Sequence, residues 1–163
     1  MQVHLFRHGT AEDIRSGGSD SQRKLTAAGR EEVRLAIEYA RPATIAPTLI
    51  LSSPYVRAVE TAEIAAGVLG YAGSIVRTSA LEPSASPQGV WEEIRGRQNE
   101  LQILLAGHEP LLSQLAAYLL DAPTLLIEMR KAMLVRIDLD RFGGNPRGIL
   151  NGCCRRTFGA VNG

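Results

Sequence analysis

Arg7 and His8 stand together where the apolar run that opens the chain gives way to Gly9. Two adjacent basic side chains at the end of a buried strand are electrostatically awkward unless something negative arrives beside them. The pattern recurs twice. The run "LILSS" at 49–53 is followed by Arg57, and "LLAG" at 104–107 by His108 and Glu109. Arg57 and His108 both fall at helix starts, where a cation opposes the helix dipole at a cost of about 0.3–1 kcal/mol. A bound anion removes the conflict, because the free N–H groups of a helix N-terminus already favour negative charge. Guanidinium groups match phosphate oxygens in bidentate fashion, so phosphate is the natural occupant.

A phosphoryl group in transfer spreads negative charge over three equatorial oxygens and needs donors around them, with a nucleophile in line. Arg7, Arg57 and His108 can supply donors. A neutral imidazole at His8 can be the nucleophile and form a covalent phosphohistidine. Gly9 would let the backbone come close to the phosphate. The scheme calls for no metal and no cofactor. His4 and His8 have the spacing of a helical metal pair, but the segment reads as a strand, so no metal is expected there. The chain has no Walker-type loop, no G-x-G-x-x-G and no G-x-S-x-G.

The elements that must position these groups alternate. Residues 2–7 read as a strand and 16–25 as a polar loop. Thr26 reads as the N-cap of a helix over about 27–41. A short apolar strand at 48–52 leads to Ser53 and Pro54, the N-cap and first position of a helix reaching about 69. A strand at 74–78, a loop at 82–87 and a helix at about 87–98 follow, the helix packing through Trp91 and Ile94. A fourth strand at 101–106 precedes a helix opened by Pro110 and reaching about 120. The strand at 133–139 has polar Arg136 and Asp138 between apolar residues and reads as an edge strand of antiparallel sense. The stretch from 143 is rich in glycine and yields no element. This order predicts an α/β fold, a three-layer α/β/α sandwich with a mostly parallel central sheet and one antiparallel edge strand. Ligands of such sheets bind beyond the carboxyl ends of the strands, where the residues named above would gather.

Bulk composition narrows the function classes. The chain has 163 residues, of which 45% are hydrophobic, and this predicts a single globular domain over 1–163. The net charge of +1 predicts no nucleic-acid or membrane partner. No apolar run is long enough to span a bilayer, and the start of the chain lacks the layout of a signal peptide, so a cytoplasmic location is expected. Cys153 and Cys154 are neighbours and make neither a disulfide framework nor a metal motif. Arg130 and Lys131 read as a charged turn, and Arg155 and Arg156 as a solvated tail.

"RHG" after the first strand, "SSPYVRAVETA" in the middle and "GHEP" late in the chain together resemble the histidine phosphatase superfamily, with its phosphoglycerate mutase-like fold. The short chain, "MQVHLFRHGTAED" and the run "DSQRKLTAAG" further resemble the SixA-type phosphohistidine phosphatases. The resemblance implies His8 as the residue that becomes phosphorylated, Arg7 and Arg57 as phosphate clamps, and His108 as a donor to a phosphoryl oxygen. It also implies an additional phosphate contact from Arg23. Many relatives place a general acid near the end of the third strand. Glu82 is the candidate here, with Glu109 a second. A phosphohistidine substrate lessens the need for one, since its P–N bond is labile.

These readings lead to a metal-independent phosphatase acting through a phosphohistidine intermediate. The lack of inserted segments should leave its pocket open to a phosphorylated protein such as a histidine phosphotransfer domain. A small-molecule phosphomonoesterase or mutase, acting on a small phosphoester, is the alternative within enzymes. A phosphate-binding module without turnover is the alternative outside them.

Overall fold

The computed structural model describes residues 1–14, 17–40 and 44–154. In chain order the elements are β1 (Gln2–Arg7), α1 (Ala27–Ala40), β2 (Leu49–Ser52), α2 (Val56–Leu69), β3 (Ile75–Arg77), α3 (Pro87–Arg95), β4 (Gln102–Gly107), α4 (Leu111–Leu119), β5 (Leu134–Leu139) and β6 (Gly148–Cys154). Single 3-10 turns follow the first and third strands at 20–22 and 79–81. Among the described residues no helix is long and apolar enough to cross a membrane.

Six strands form one mixed sheet in the order β3-β2-β4-β1-β5-β6. The neighbours among β1 to β4 pair in parallel, while β5 is antiparallel to both β1 and β6. Apolar residues alternate across the two faces because successive side chains of a strand point oppositely. Phe6, Ile50 and Leu104 pack with Val33, Ile37, Ala62 and Ala65 of α1 and α2. Leu5, Leu51 and Leu105, one position on or back, pack with Trp91, Ile94, Leu111 and Leu115 of α3 and α4. The result is the expected three-layer sandwich, with the central strands apolar throughout because both their faces are covered.

The helix ends follow local chemistry. The Thr26 hydroxyl accepts the Gly29 N–H at 2.9 Å, as an N-cap should. Ser86 caps α3 through the Gly89 N–H, with Pro87 at the first position. Gly70 closes α2 at φ 68°, a left-handed conformation that suits glycine. Two expectations are corrected. Ser53 and Pro54 do not open α2, which starts at Val56 after an extended Tyr55, since the Ser53 hydroxyl is drawn to a histidine across the sheet. Beyond 143 the chain forms a further strand, β6, so 134–139 is antiparallel as expected but is not the outermost strand. The masking of a strand by glycine has a packing cause: a Cβ on Gly148 would lie 2.6 Å from Ile137 Cγ2 and 3.0 Å from the Leu119 carbonyl oxygen. Arg155 and Arg156 lie outside the described residues. Trp91 is buried, stacks on Phe142 and donates from Nε1 to the Gly144 carbonyl at 3.2 Å, so it ties the loop before β6 to α3.

Candidate active site

The chain leaves β1 through α1 toward β2 on one side and leaves β4 through α4 toward β5 on the other. β1 and β4 are neighbours, so the crevice between their carboxyl ends is a topological switch point, where open α/β sheets bind ligands. Arg7 pairs with Gly107 in the last register position of these strands. His8 and His108, the next residues on each, are thereby set side by side, with ring centroids 5.0 Å apart.

His8 is held at three places. Its backbone N–H donates to the Gly107 carbonyl at 3.1 Å, and its carbonyl accepts from Ala132 N–H at 3.2 Å. Its ring Nδ1 lies 2.7 Å from the Gly9 carbonyl oxygen, which can only accept, so the proton sits on Nδ1. Nε2 therefore carries a lone pair, and Arg57 Nε donates to it at 3.3 Å. The ring is 8% exposed. Burial, with the positive charges of Arg57, Arg7 and Lys131 nearby, overrides the Gly9 hydrogen bond and lowers its pKa to about 4. At neutral pH the imidazole is uncharged with a free electron pair, the state a nucleophile needs.

Gly9 makes a close backbone approach, and the partner is α1. A Cβ there would lie 2.4 Å from the Gly29 carbonyl oxygen, and one on Gly29 would lie 1.9 Å from the Thr10 carbonyl oxygen. The turn after β1 and the first turn of α1 thus press together, and the Glu32 carboxylate fastens them by accepting from both the N–H and the hydroxyl of Thr10.

His108 is 2% exposed. Ser53 Oγ accepts from Tyr55 N–H at 3.3 Å and lies 2.9 Å from His108 Nε2. The hydroxyl can donate to Nε2, and in that tautomer the ring proton sits on Nδ1. Among the described residues that Nδ1 is buried without a hydrogen-bond partner, as are Nε of Arg7 and both ring nitrogens of His4. Buried polar groups are normally paired, and the His108 and Arg7 atoms face one crevice, where an anion could accept from Arg7 Nε and from His108 protonated at Nδ1. Burial, with the charge of His8 and Arg57 beside it, lowers the pKa of His108 to about 2.

Arg7 and Arg57 both bear on the two imidazoles through their charge. Arg7 Nη1 donates to the Met129 carbonyl at 2.6 Å. Arg57, in the first turn of α2, is 5% exposed and lies 5.0 Å above the ring of Tyr55, which meets His108 edge-on at 5.1 Å. Arg57 Nη1 and Nη2 donate to the carbonyl and the carboxylate of Asp20 at 2.6 and 2.9 Å. Arg23 donates from Nη1 to the other Asp20 oxygen at 2.8 Å and from Nε to the Glu12 carbonyl. Asp20 therefore lies between two guanidinium groups. The loop that carries it is anchored by Glu60, which accepts Leu25 N–H at 2.7 Å and pairs with Arg30.

The structure thus brings His8, Arg7, Arg57 and His108 together and sets Arg23 one carboxylate away. The two acids are engaged in local hydrogen bonds. Glu82 caps the 3-10 turn after β3 with its backbone. Glu109 accepts Ser113 N–H at 3.0 Å at the start of α4, and its charge bears on Arg7. Among the described residues neither hydrogen-bonds to an imidazole, and no three His, Cys, Asp or Glu side chains gather as metal ligands. Sequence reasoning missed Ser53, Tyr55 and Asp20. The first two lie within the quoted motif "SSPYVRAVETA". Asp20 opens the quoted run "DSQRKLTAAG", but its pairing with Arg57, 37 residues away, left no local signal.

The sequence model of the histidine phosphatase superfamily, branch 1, matches residues 3–82. The chain is 31% identical over 126 residues to phosphohistidine phosphatase SixA of Escherichia coli, covering 76% of this chain and 77% of that protein. A structure of the protein histidine phosphatase SixA complexed with tungstate superimposes with a TM-score of 0.84 at 28% identity, over 95% of this chain and 97% of that one. A putative phosphohistidine phosphatase SixA from Agrobacterium tumefaciens shares the fold, with a TM-score of 0.77 at 21% identity over 93% and 96% of the two chains.

Proposed function

The chain belongs to the histidine phosphatase superfamily as a SixA-like phosphatase, and from that premise we propose that it hydrolyses phosphohistidine on a cytoplasmic protein, such as a histidine phosphotransfer domain, through a phosphorylated His8. The observation that carries this reading is the lone pair of His8 Nε2, fixed by the Gly9 carbonyl at the far side of the ring and met by Arg57.

In the first step His8 Nε2 bonds to phosphorus and the substrate P–N bond breaks. Its electron pair returns to the leaving imidazole, which departs neutral when its other nitrogen already bears a proton. No dedicated acid is required, and among the described residues neither Glu82 nor Glu109 hydrogen-bonds to an imidazole. The His8 ring becomes a phosphorylated imidazolium, and the Gly9 carbonyl stabilises it by accepting from Nδ1–H. Once Nε2 is bound to phosphorus, Arg57 Nε–H is released to a phosphoryl oxygen. Arg7 Nε and His108, when protonated at Nδ1, serve the other oxygens. In the second step water attacks phosphorus, the P–Nε2 bond breaks, and the water proton ends on the departing phosphate.

The test is a substrate panel containing a phosphorylated phosphotransfer protein and a set of sugar phosphates. Turnover should be fastest on the protein; faster turnover of sugar phosphates would replace the substrate while keeping the mechanism. His8→Ala should abolish turnover and prevent alkali-stable labelling of the protein by substrate phosphate. The SixA neighbour was solved with tungstate, and vanadate, another oxyanion of this kind, should inhibit this chain. EDTA should leave the rate unchanged, and a strong loss would overturn a mechanism run by side chains alone.

A further inference from the structure

We infer that Asp20 is a built-in competitor for the phosphoryl subsite: in the free protein its carboxylate takes one Nη of Arg57 beside its own backbone carbonyl on the other, and the substrate phosphoryl group must displace the carboxylate. The inference deepens the phosphatase reading and rests on it. A guanidinium takes an oxyanion in bidentate fashion along one of two edges, Nε with one Nη or Nη with Nη. Both edges of Arg57 already carry acceptors, with His8 Nε2 at Nε and Asp20 at both Nη atoms. The second Asp20 oxygen takes Arg23 Nη1. One carboxylate thus bridges Arg57 and Arg23, two of the cations that the sequence motifs would offer to phosphate, while Arg7 Nε has no partner among the described residues.

The two partners differ in how freely they can move. The Arg57 side chain is 6% exposed, whereas that of Asp20 is 41% exposed. Asp20 starts a 3-10 turn of three residues that follows Gly17, Gly18 and Ser19, all exposed. An arriving dianion can therefore push the carboxylate outward while Arg57 stays in place. The consequence is selectivity. A free phosphate or a small phosphoester must break the Asp20 pair with the binding energy of one small group. A protein substrate brings contacts beyond the phosphoryl group that offset the same loss. Displaced, the Asp20 carboxylate also leaves a negative group at the crevice, suited to a substrate whose phosphorylated ring bears a proton on its other nitrogen.

The experiment measures inorganic phosphate and vanadate binding to the full-length chain by calorimetry, for the wild type, Asp20→Asn and Asp13→Asn. Asp13 is exposed, and its replacement makes the same change in net charge without touching Arg57. Asp20→Asn should bind both anions about fivefold more tightly, the scale of a partly exposed ion pair. It should also gain kcat/KM on small phosphoesters more than on the phosphoprotein, while Asp13→Asn stays within about twofold of wild type. Weaker binding by Asp20→Asn would make Asp20 a residue that orients Arg57, and an equal gain in both variants would make the effect one of bulk charge; either overturns the inference. A vanadate complex in which Asp20 still holds Arg57 would do so too, whatever the variants show. Wild-type protein that binds neither anion would instead sink the phosphatase reading itself.

Discussion

The proton on His8 Nδ1 faces the carbonyl of the next residue, and this short contact decides what the opposite nitrogen can do. It also sets a measurable titration. With burial and three cations holding the pKa at about 4, the ring of the ligand-free protein should titrate far below the 6.5 of a solvated histidine. Nuclear magnetic resonance of the ring nitrogens should show neutral His8, protonated at Nδ1, down to pH 5. A midpoint near 6.5 would mean a ring open to water and no fixed lone pair. The types of the four central residues were legible from sequence because each sits at a strand end or, for Arg57, at the start of the helix that follows one, where fold topology gives position a meaning. Their tautomers were not legible. Those depend on the Gly9 carbonyl and the Ser53 hydroxyl, whose orientation only the folded chain defines. Asp20 lies in the same class, since a loop aspartate looks solvated until the loop is seen folded against α2.

At the scale of elements, the glycines separate packing from propensity. A helix-interior glycine replaced by alanine normally gains about 1 kcal/mol. Gly67, in α2, has open space around its missing Cβ, so Gly67→Ala should stabilise by up to about 1 kcal/mol in urea unfolding. Gly29 in α1 faces the Thr10 carbonyl at a distance no Cβ tolerates, and Gly29→Ala should destabilise by roughly 1–3 kcal/mol. It should also lower kcat, because α1 would push the turn that carries His8. Equal and favourable effects at both positions would refute the described contact. The same logic explains the misreading of β6. Its glycines weaken a strand signature, and Ile149 and Leu150 are exposed, so no alternation of buried and polar residues marks it. Strands under helices on both faces, such as β2 and β4, announce themselves by unbroken apolar runs, and those were placed within a residue or two.

For the molecule as a whole, acid is the informative stress. All three histidines, His4, His8 and His108, are buried and hold lowered pKa values, chiefly through that burial. Between pH 6.5 and about 4 the unfolded chain binds protons at these sites that the native state refuses, so stability must fall as pH falls. The loss should begin near pH 6.5 and reach on the order of several kcal/mol by pH 4.5, measured as free energy of urea unfolding. A flat profile over that range would contradict the burial of the imidazoles. Bound vanadate should lessen the slope, since it favours protonated imidazole. The three-layer architecture was readable from the alternation of apolar runs and helical segments, while the pairing of β1 with β4 was not, because order along the chain does not specify order across a sheet. That pairing has a consequence for biosynthesis. His8, the proposed nucleophile, leaves the ribosome about a hundred residues ahead of the strand that completes its surroundings. No nascent intermediate ending before β4 can hydrolyse anything, and the onset of turnover during synthesis would time the closure of the sheet.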